Sequence, residues 1–304
     1  MFTSTNAKLN AKLASFRKKL SKSSIRVYSS TIKSAAKKFS TQAFSLDMRW
    51  VTPQVINKIL QVKDITIRRN FLNALLIACQ MVGKDSLATR IKGTLQSLRN
   101  EIKNKKSDQK MSAREKERAL DWPNLQKRYR AWAKRLPSFT KTNWKILQRF
   151  VVASCYLLRA PLRLDWFQVS FSTTDKNYLD LSQKLLVLND FKTKSTYGEQ
   201  KMKLGTALTR LLKRWRTLRE SMGDNTGLVF LTARGKPFSR NGFGKLLSSI
   251  IEDLTNRKSS ASFLRKAYIS HIFRDEMSLK KRQEHARDML HSVETQRLWY
   301  EKKS

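Results

Sequence analysis

The sequence predicts a mainly α chain with a small antiparallel β-sheet, an α+β protein built as two domains. Three observations carry this. The chain has 304 residues, against about 100–200 per domain in ordinary proteins. Apolar residues over the first hundred positions recur at helical spacing. Between residues 168 and 204 the pattern changes to short runs of β-branched and apolar residues alternating with polar ones, with turn signals between them, before helical spacing resumes.

Taken in order, Ser24 is placed to cap a helix from Ile25 to Phe39, with Ile25, Tyr28, Ile32 and Ala35 on one side. Thr52-Pro53 opens the next, because proline suits the first helical position, and Val55, Ile56, Ile59 and Leu60 follow at helical spacing. A third helix is expected over Ile67–Val82 and a fourth over Ser86–Ile102. Residues 1–102 thus read as a helical domain with little core of its own, suited to working clamped onto something. Residues 103–117, KNKKSDQKMSAREKE, are charged and nearly devoid of large apolar side chains. They are the expected linker, since such a stretch gains little burial to offset its ordering entropy. Residues 118–304 form the second domain. Helices are expected at 122–135, 141–158, 205–221, 239–254, 262–277, 279–290 and 292–302. Strands are expected at Gln168–Phe171, Tyr178–Leu181, Lys184–Asn189 and Gln200–Leu204. There is no internal repeat.

Charge narrows the function. The chain carries 63 Lys+Arg against 23 Asp+Glu, a formal +40. Such an excess repels itself unless a polyanion is near, which points first to nucleic acid and second to an anionic membrane surface. No run approaches the ~18 apolar residues of a spanning helix. Cys79 and Cys155 sit in apolar surroundings and read as buried small hydrophobes. With no disulfide framework and no Cys/His zinc spacing, a reducing intracellular setting is expected. The basic N-terminal segment, with no acid before Asp47, reads either as a DNA-facing helix or as an organelle-targeting segment. In the first case Lys18, Lys19, Lys22, Arg26, Lys33, Lys37 and Lys38 would track a duplex backbone, giving salt-sensitive and largely sequence-independent affinity.

Metal-free phosphodiester cleavage needs a nucleophile, cations on the non-bridging oxygens, and an acid for the leaving 5′ oxygen. Arginine suits the second role because its planar fork donates two bonds to phosphate, and a lysine on a mobile loop suits the third. The C-terminal stretch SSASFLRKAYISHIF followed by ARDMLHSVETQRLWYEKKS supplies Arg265 inside an amphipathic helix, His291 before the helix-capping Ser292, and Tyr300 nine residues after His291. Upstream, LLRAPLRLDW supplies Arg163 with Asp165 just past a long apolar helix, and VLNDFKTKSTYGEQKMKL supplies Lys192.

These residues, in this order and spacing, resemble the tyrosine recombinase (phage-integrase-like) family over nearly the whole chain. The Pro-Leu-Arg-Leu-Asp-Trp and Lys-Thr-x-x-x-Tyr-Gly forms are most similar to integrases of eukaryotic DNA viruses and virophages. The resemblance implies a helical core-binding domain and a catalytic domain closing as a C-shaped clamp on double-stranded DNA. It implies Tyr300 as nucleophile, Arg163, Arg265 and His291 on the scissile phosphate, and Lys192 as the acid. It further implies DNA recombination or integration through a 3′-phosphotyrosine, with no cofactor and no metal, by a homotetramer on two DNA sites.

Two departures stand out. The family usually carries His or Lys three residues before the second arginine. Here the position is Ser262, whose hydroxyl can donate to a phosphate but brings no charge. Only four residues follow Tyr300, so any tail exchange between subunits is expected to be short, absent, or made elsewhere. Arg159 competes with Arg163, and Lys194 with Lys192. Arg163–Asp165 can also be read as a plain local ion pair, and Tyr300 as a packing aromatic. Three other readings stay open: a DNA-binding protein of this fold without catalysis, a type IB topoisomerase-like enzyme, and a structural basic protein such as a ribosome-associated one.

Overall fold

The computed structural model describes residues 2–108, 110–174, 176–273 and 278–301, the side chains of residues 2–4 and 114 excepted. It divides into two compact units, residues 1–105 and 106–304.

The first unit is helical: α1 (Phe2–Phe16), α2 (Lys22–Phe39), α3 (Pro53–Leu60), α4 (Ile65–Met81) and α5 (Asp85–Ser107). Thr52 caps α3 and Asp64 caps α4, each through a side-chain oxygen on a first-turn N–H. At α2 the cap is Ser21 rather than Ser24. Ser21 holds the extended conformation a cap needs and accepts from the Ser24 N–H, so the helix starts a turn earlier than expected. Leu9 and Leu13 of α1 join Ile32, Trp50, Ile56, Leu72, Leu75 and Ile91 in one buried cluster. Burial of each such side chain contributes roughly 1.5–3 kcal/mol, so α1 belongs to this core. Cys79 lies within the cluster, and burial pushes its thiol up to about 11.

The charged stretch 103–117 is largely helical. It holds the end of α5 and most of α6 (Ala113–Arg118). Ordering comes from polar contacts instead of burial: Ser112 and Glu115 form a reciprocal capping box, and Glu115 pairs with Lys266.

The second unit continues with α7 (Trp122–Lys134), α8 (Trp144–Leu157) and a 3₁₀ turn (Asp165–Gln168). Next come β1 (Tyr178–Asp180), β2 (Leu185–Leu188), a single helical turn α9 (Lys194–Tyr197), and β3 (Gln200–Lys203). The chain then runs through α10 (Thr206–Ser221), α11 (Arg240–Thr255), α12 (Ala261–Ile272), α13 (Leu279–Asp288) and the one-turn α14 (Val293–Thr295), closing in a π turn (Gln296–Tyr300). The sheet is antiparallel in the order β1-β2-β3, with Leu186 opposite Leu179 and Met202. Those three side chains join α8, α10 and α11 in the main core around Tyr156, Trp166, Trp215 and Phe243. Cys155 is buried there as a free thiol.

Three expected elements differ. Gln168–Phe171 is not a strand; it ends the 3₁₀ turn and contributes lone bridges at Ser170 to Tyr178 and Leu228. The helix expected over 262–277 ends at Ile272, and the remainder of that range after Phe273 lies outside the described residues. The last expected helix, 292–302, is a short α turn that widens into the π turn, and its final residue lies outside the described residues. Among the described residues, no helix is long and apolar enough to cross a membrane.

Candidate active site

The turn Met289–His291 organises the site. α13 ends at Asp288, and Leu290 turns the chain in the left-handed region at φ 57°. Ser292 then caps the next helical turn by accepting from the Thr295 N–H. The carbonyls of this buried turn become acceptors. Met289 O takes the Arg265 Nη2 donor at 2.9 Å, and Leu290 O takes the Arg163 Nη1 donor at 3.2 Å and the Thr193 hydroxyl at 3.3 Å. Backbone oxygens on two neighbouring residues therefore fix both arginines and the loop that carries Lys192.

Arg265 lies on α12, fully buried, and its Nη1 donates to Pro161 O at 2.8 Å. Its guanidinium carbon stands 4.7 Å from the centre of the Tyr300 ring. Burial lowers its pKa, yet the group stays cationic. Its Nε has no hydrogen-bond partner among the described residues. Arg163 sits in the connection after α8, where the Tyr156 hydroxyl donates to its carbonyl at 2.6 Å. Arg159 is held elsewhere, against the Met202 sulfur at 3.4 Å and near the Asp288 charge. Of the two candidate first arginines, Arg163 is the one at Tyr300.

Tyr300 is the meeting point. Burial alone would raise the phenol, but the charges of Arg265 and Arg163, and hydrogen bonds from both, outweigh it and bring the pKa below the usual 10. The His291 ring stacks on the Tyr300 ring, centroids 5.1 Å apart and planes 23° apart. His291 is buried, and neither ring nitrogen has a hydrogen-bond partner among the described residues. Burial, with Arg265 and Arg163 adding to it, lowers its pKa to about 3. It is therefore a neutral imidazole at physiological pH, able to donate one hydrogen bond and a poor proton acceptor. Gln296, at the start of the π turn and also buried, has neither side-chain oxygen nor nitrogen paired. A buried polar atom left unpaired costs about 1–3 kcal/mol, and Arg265, His291 and Gln296 together carry five of them.

Asp165 occupies a different place from the one expected. It is buried, but no ion pair forms between it and Arg163; its nearest cation is Arg240 of α11, with 3.8 Å between Nη1 and Oδ1. Burial raises its pKa against the pull of Arg240, Arg163 and Arg265. Ser262 is exposed on the first turn of α12. Lys192 is exposed in the connection between β2 and α9, with Lys194 two residues on. Thr193 between them is the residue tied to the turn. Sequence reasoning missed Arg240, Thr193 and Gln296. Ser239-Arg240 at a helix start was the only local signal for Arg240, in a chain with 63 basic residues.

The basic residues singled out in the first unit divide. Lys18, Lys19, Lys22, Arg26, Lys37 and Lys38 are exposed. Lys33 donates to the Asn6 side chain, tying α2 to α1. Lys22, Arg26, Lys33 and Lys37 fall on one stripe of α2, since steps of four and seven residues nearly repeat the helical period.

Among the described residues no group of three or more His, Cys, Asp or Glu could hold a metal. No family model and no curated protein matches this sequence. Among solved structures, the crystal structure of XerA recombinase is similar at 12% identity with a TM-score of 0.46, over 98% of this chain and 94% of that one. A likeness that distant does not establish a family.

Proposed function

We propose that this chain is a DNA strand-transfer enzyme of the tyrosine recombinase type, with Tyr300 as its nucleophile. The observation that carries the reading is the convergence of Arg163 and Arg265 on the Tyr300 phenol, both guanidinium groups fixed by carbonyls of one turn. Two fixed guanidinium forks match the paired non-bridging oxygens of a phosphate diester. A phenol whose proton they loosen is a competent attacking oxygen.

In the proposed reaction the Tyr300 ring moves off Arg265 as a backbone phosphate takes the place of the phenol. The Tyr300 oxygen bonds to phosphorus and its proton leaves to solvent, because neutral His291 is too weak a base to keep it. Arg163 and Arg265 hold the non-bridging oxygens, and His291 donates to one of them. The bond from phosphorus to the 5′ oxygen breaks, and Lys192 protonates that oxygen. A 5′ hydroxyl of another strand then reverses the sequence. The phosphotyrosine conserves the energy of the broken bond, so no nucleotide cofactor is required. Both units grip the duplex in this reading, and a tetramer on two sites, target-guided localisation and kinship with viral integrases belong to the same proposal.

The test is a pool of nicked duplexes of randomised sequence, in which cleavage near the nick releases a short fragment and traps the protein covalently. Wild type should form adduct that resists denaturation, and Tyr300→Phe should form none. A second reading, a DNA-binding protein of the same fold without catalysis, is favoured by Ser262, exposed and uncharged where a cation would be expected. It predicts binding without adduct. Relaxation of supercoiled plasmid by the monomer, with no strand exchange, would instead mark a topoisomerase.

A further inference from the structure

We propose that the groove between α11 and the first turn of α12 seats a second DNA backbone phosphate, next to the one Tyr300 attacks, and that Arg240 is its lead cation. This rests on the strand-transfer reading. The groove measures about 790 Å³, and Arg163 forms part of its wall. Arg118, Arg240, Lys245 and Lys258 line the rest, with Glu252 the one acid among its described lining residues. Lys245 and Lys258 are exposed and enter no ion pair among the described residues. Five cations against one acid in a cleft this size leave a surplus of charge that a polyanion would neutralise.

Arg240 differs from the lysines because a buried carboxylate and an aromatic ring flank it. Its guanidinium stands 3.8 Å from the buried Asp165 carboxylate and 5.7 Å from the centre of the Phe167 ring. A pre-set arginine loses less rotamer freedom on binding than a free lysine. Asp165 also feels the charges of Arg163 and Arg265, so one buried carboxylate lies within electrostatic reach of Arg240 and of the pair at Tyr300. Ser262 opens onto the same groove. Its hydroxyl can donate to a phosphate oxygen, and Arg240 brings to that wall the positive charge Ser262 lacks. Arg240 is thus a positioning residue for the strand, fixing where the neighbouring phosphate lies relative to Tyr300.

The experiment measures binding to a labelled random-sequence duplex across a salt series, together with adduct formation on the nicked pool at saturating protein. The proteins are wild type, Arg240→Gln, Lys245→Gln, Lys258→Gln, and Lys213→Gln on α10, which does not line the groove. Arg240→Gln, which removes the lead cation on that phosphate, should lower the slope of log affinity against log salt by about 0.9, the amount expected for one lost phosphate contact; Lys245→Gln and Lys258→Gln should each lower it by a smaller amount, and Lys213→Gln should not. Arg240→Gln should also slow adduct formation about tenfold, because a displaced strand misplaces the reacting phosphorus. If Arg240→Gln melts early, Lys245→Gln and Lys258→Gln carry the test, since neither contacts Asp165. Groove variants with the wild-type slope, or with a loss matched by Lys213→Gln, overturn the groove while wild type still binds and traps. A wild type that neither binds duplex nor traps overturns the strand-transfer reading instead.

Discussion

His291 allows a prediction whose size follows from the structure. Its ring is buried against Tyr300 beside two guanidinium groups, and its pKa falls from the ordinary 6.5 to about 3. A histidine kept neutral in the fold but free to ionise once unfolded makes the unfolded chain bind more protons, so stability rises with pH across this window and is lost on acidification. Between pH 7 and pH 5 the unfolded imidazole goes from mostly neutral to almost wholly protonated, while the folded one stays neutral. Integrating that difference gives a loss of about 2 kcal/mol over the two pH units. His291→Gln removes the titrating group, so the wild type should lose about 2 kcal/mol more than the variant over this range, with other titrating groups cancelling in the comparison. The assay is urea unfolding followed by tryptophan fluorescence, which reports mainly on the second unit because six of the seven tryptophans lie in residues 106–304. Equal pH dependence in both proteins would refute the burial argument, and with it the claim that His291 is neutral beside Tyr300.

Other outcomes follow from the same geometry. Arg265→Lys keeps a positive charge but cannot span Pro161 O and Met289 O while facing Tyr300; adduct formation on the nicked pool should fall on the order of 10²-fold. Leu290→Gly relieves a left-handed conformation worth about 1–2 kcal/mol but deletes a buried side chain worth about 3–5 kcal/mol, so urea unfolding should show a net loss. Lys37→Gln, on the exposed stripe of α2, should lower the salt slope of duplex binding by about 0.9. Lys33→Gln should instead cost about 1 kcal/mol of stability in the first unit through its Asn6 contact, read by thermal unfolding.

Much of the architecture was legible because helical periodicity and capping chemistry are local. Thr52-Pro53 opens α3 as read, and the alternating runs at 178–188 and 200–203 are the strands of the sheet. Gln168–Phe171 has the same alternation as a true strand, yet Gln168 ends a 3₁₀ turn and the rest makes only lone bridges at Ser170, with a few backbone hydrogen bonds from Val169 to Phe171 in place of a ladder. Three serines stand at the start of α2, and only backbone geometry selects Ser21 among them. The order of Arg163, Lys192, Arg265, His291 and Tyr300 could be seen in the sequence. What fixes them could not, because the fixing atoms are the carbonyls of Met289 and Leu290, and every residue type has a carbonyl. Arg240 was invisible for the opposite reason: in so basic a chain one more arginine carries no signal until a buried Asp165 is found 3.8 Å from it.

The central claim is that Tyr300 itself bonds to phosphorus. Adduct trapped on nicked duplex, treated with nuclease to leave a short nucleotide remnant and then digested with trypsin, localises the bond by mass spectrometry. Cleavage after Arg297 isolates a peptide that begins at Leu298 and contains Trp299 and Tyr300. The account predicts that this peptide carries the remnant as a phosphodiester on Tyr300. A remnant on Tyr197, Tyr268 or any other residue, or the absence of covalent product from a protein that binds the duplex, would contradict it.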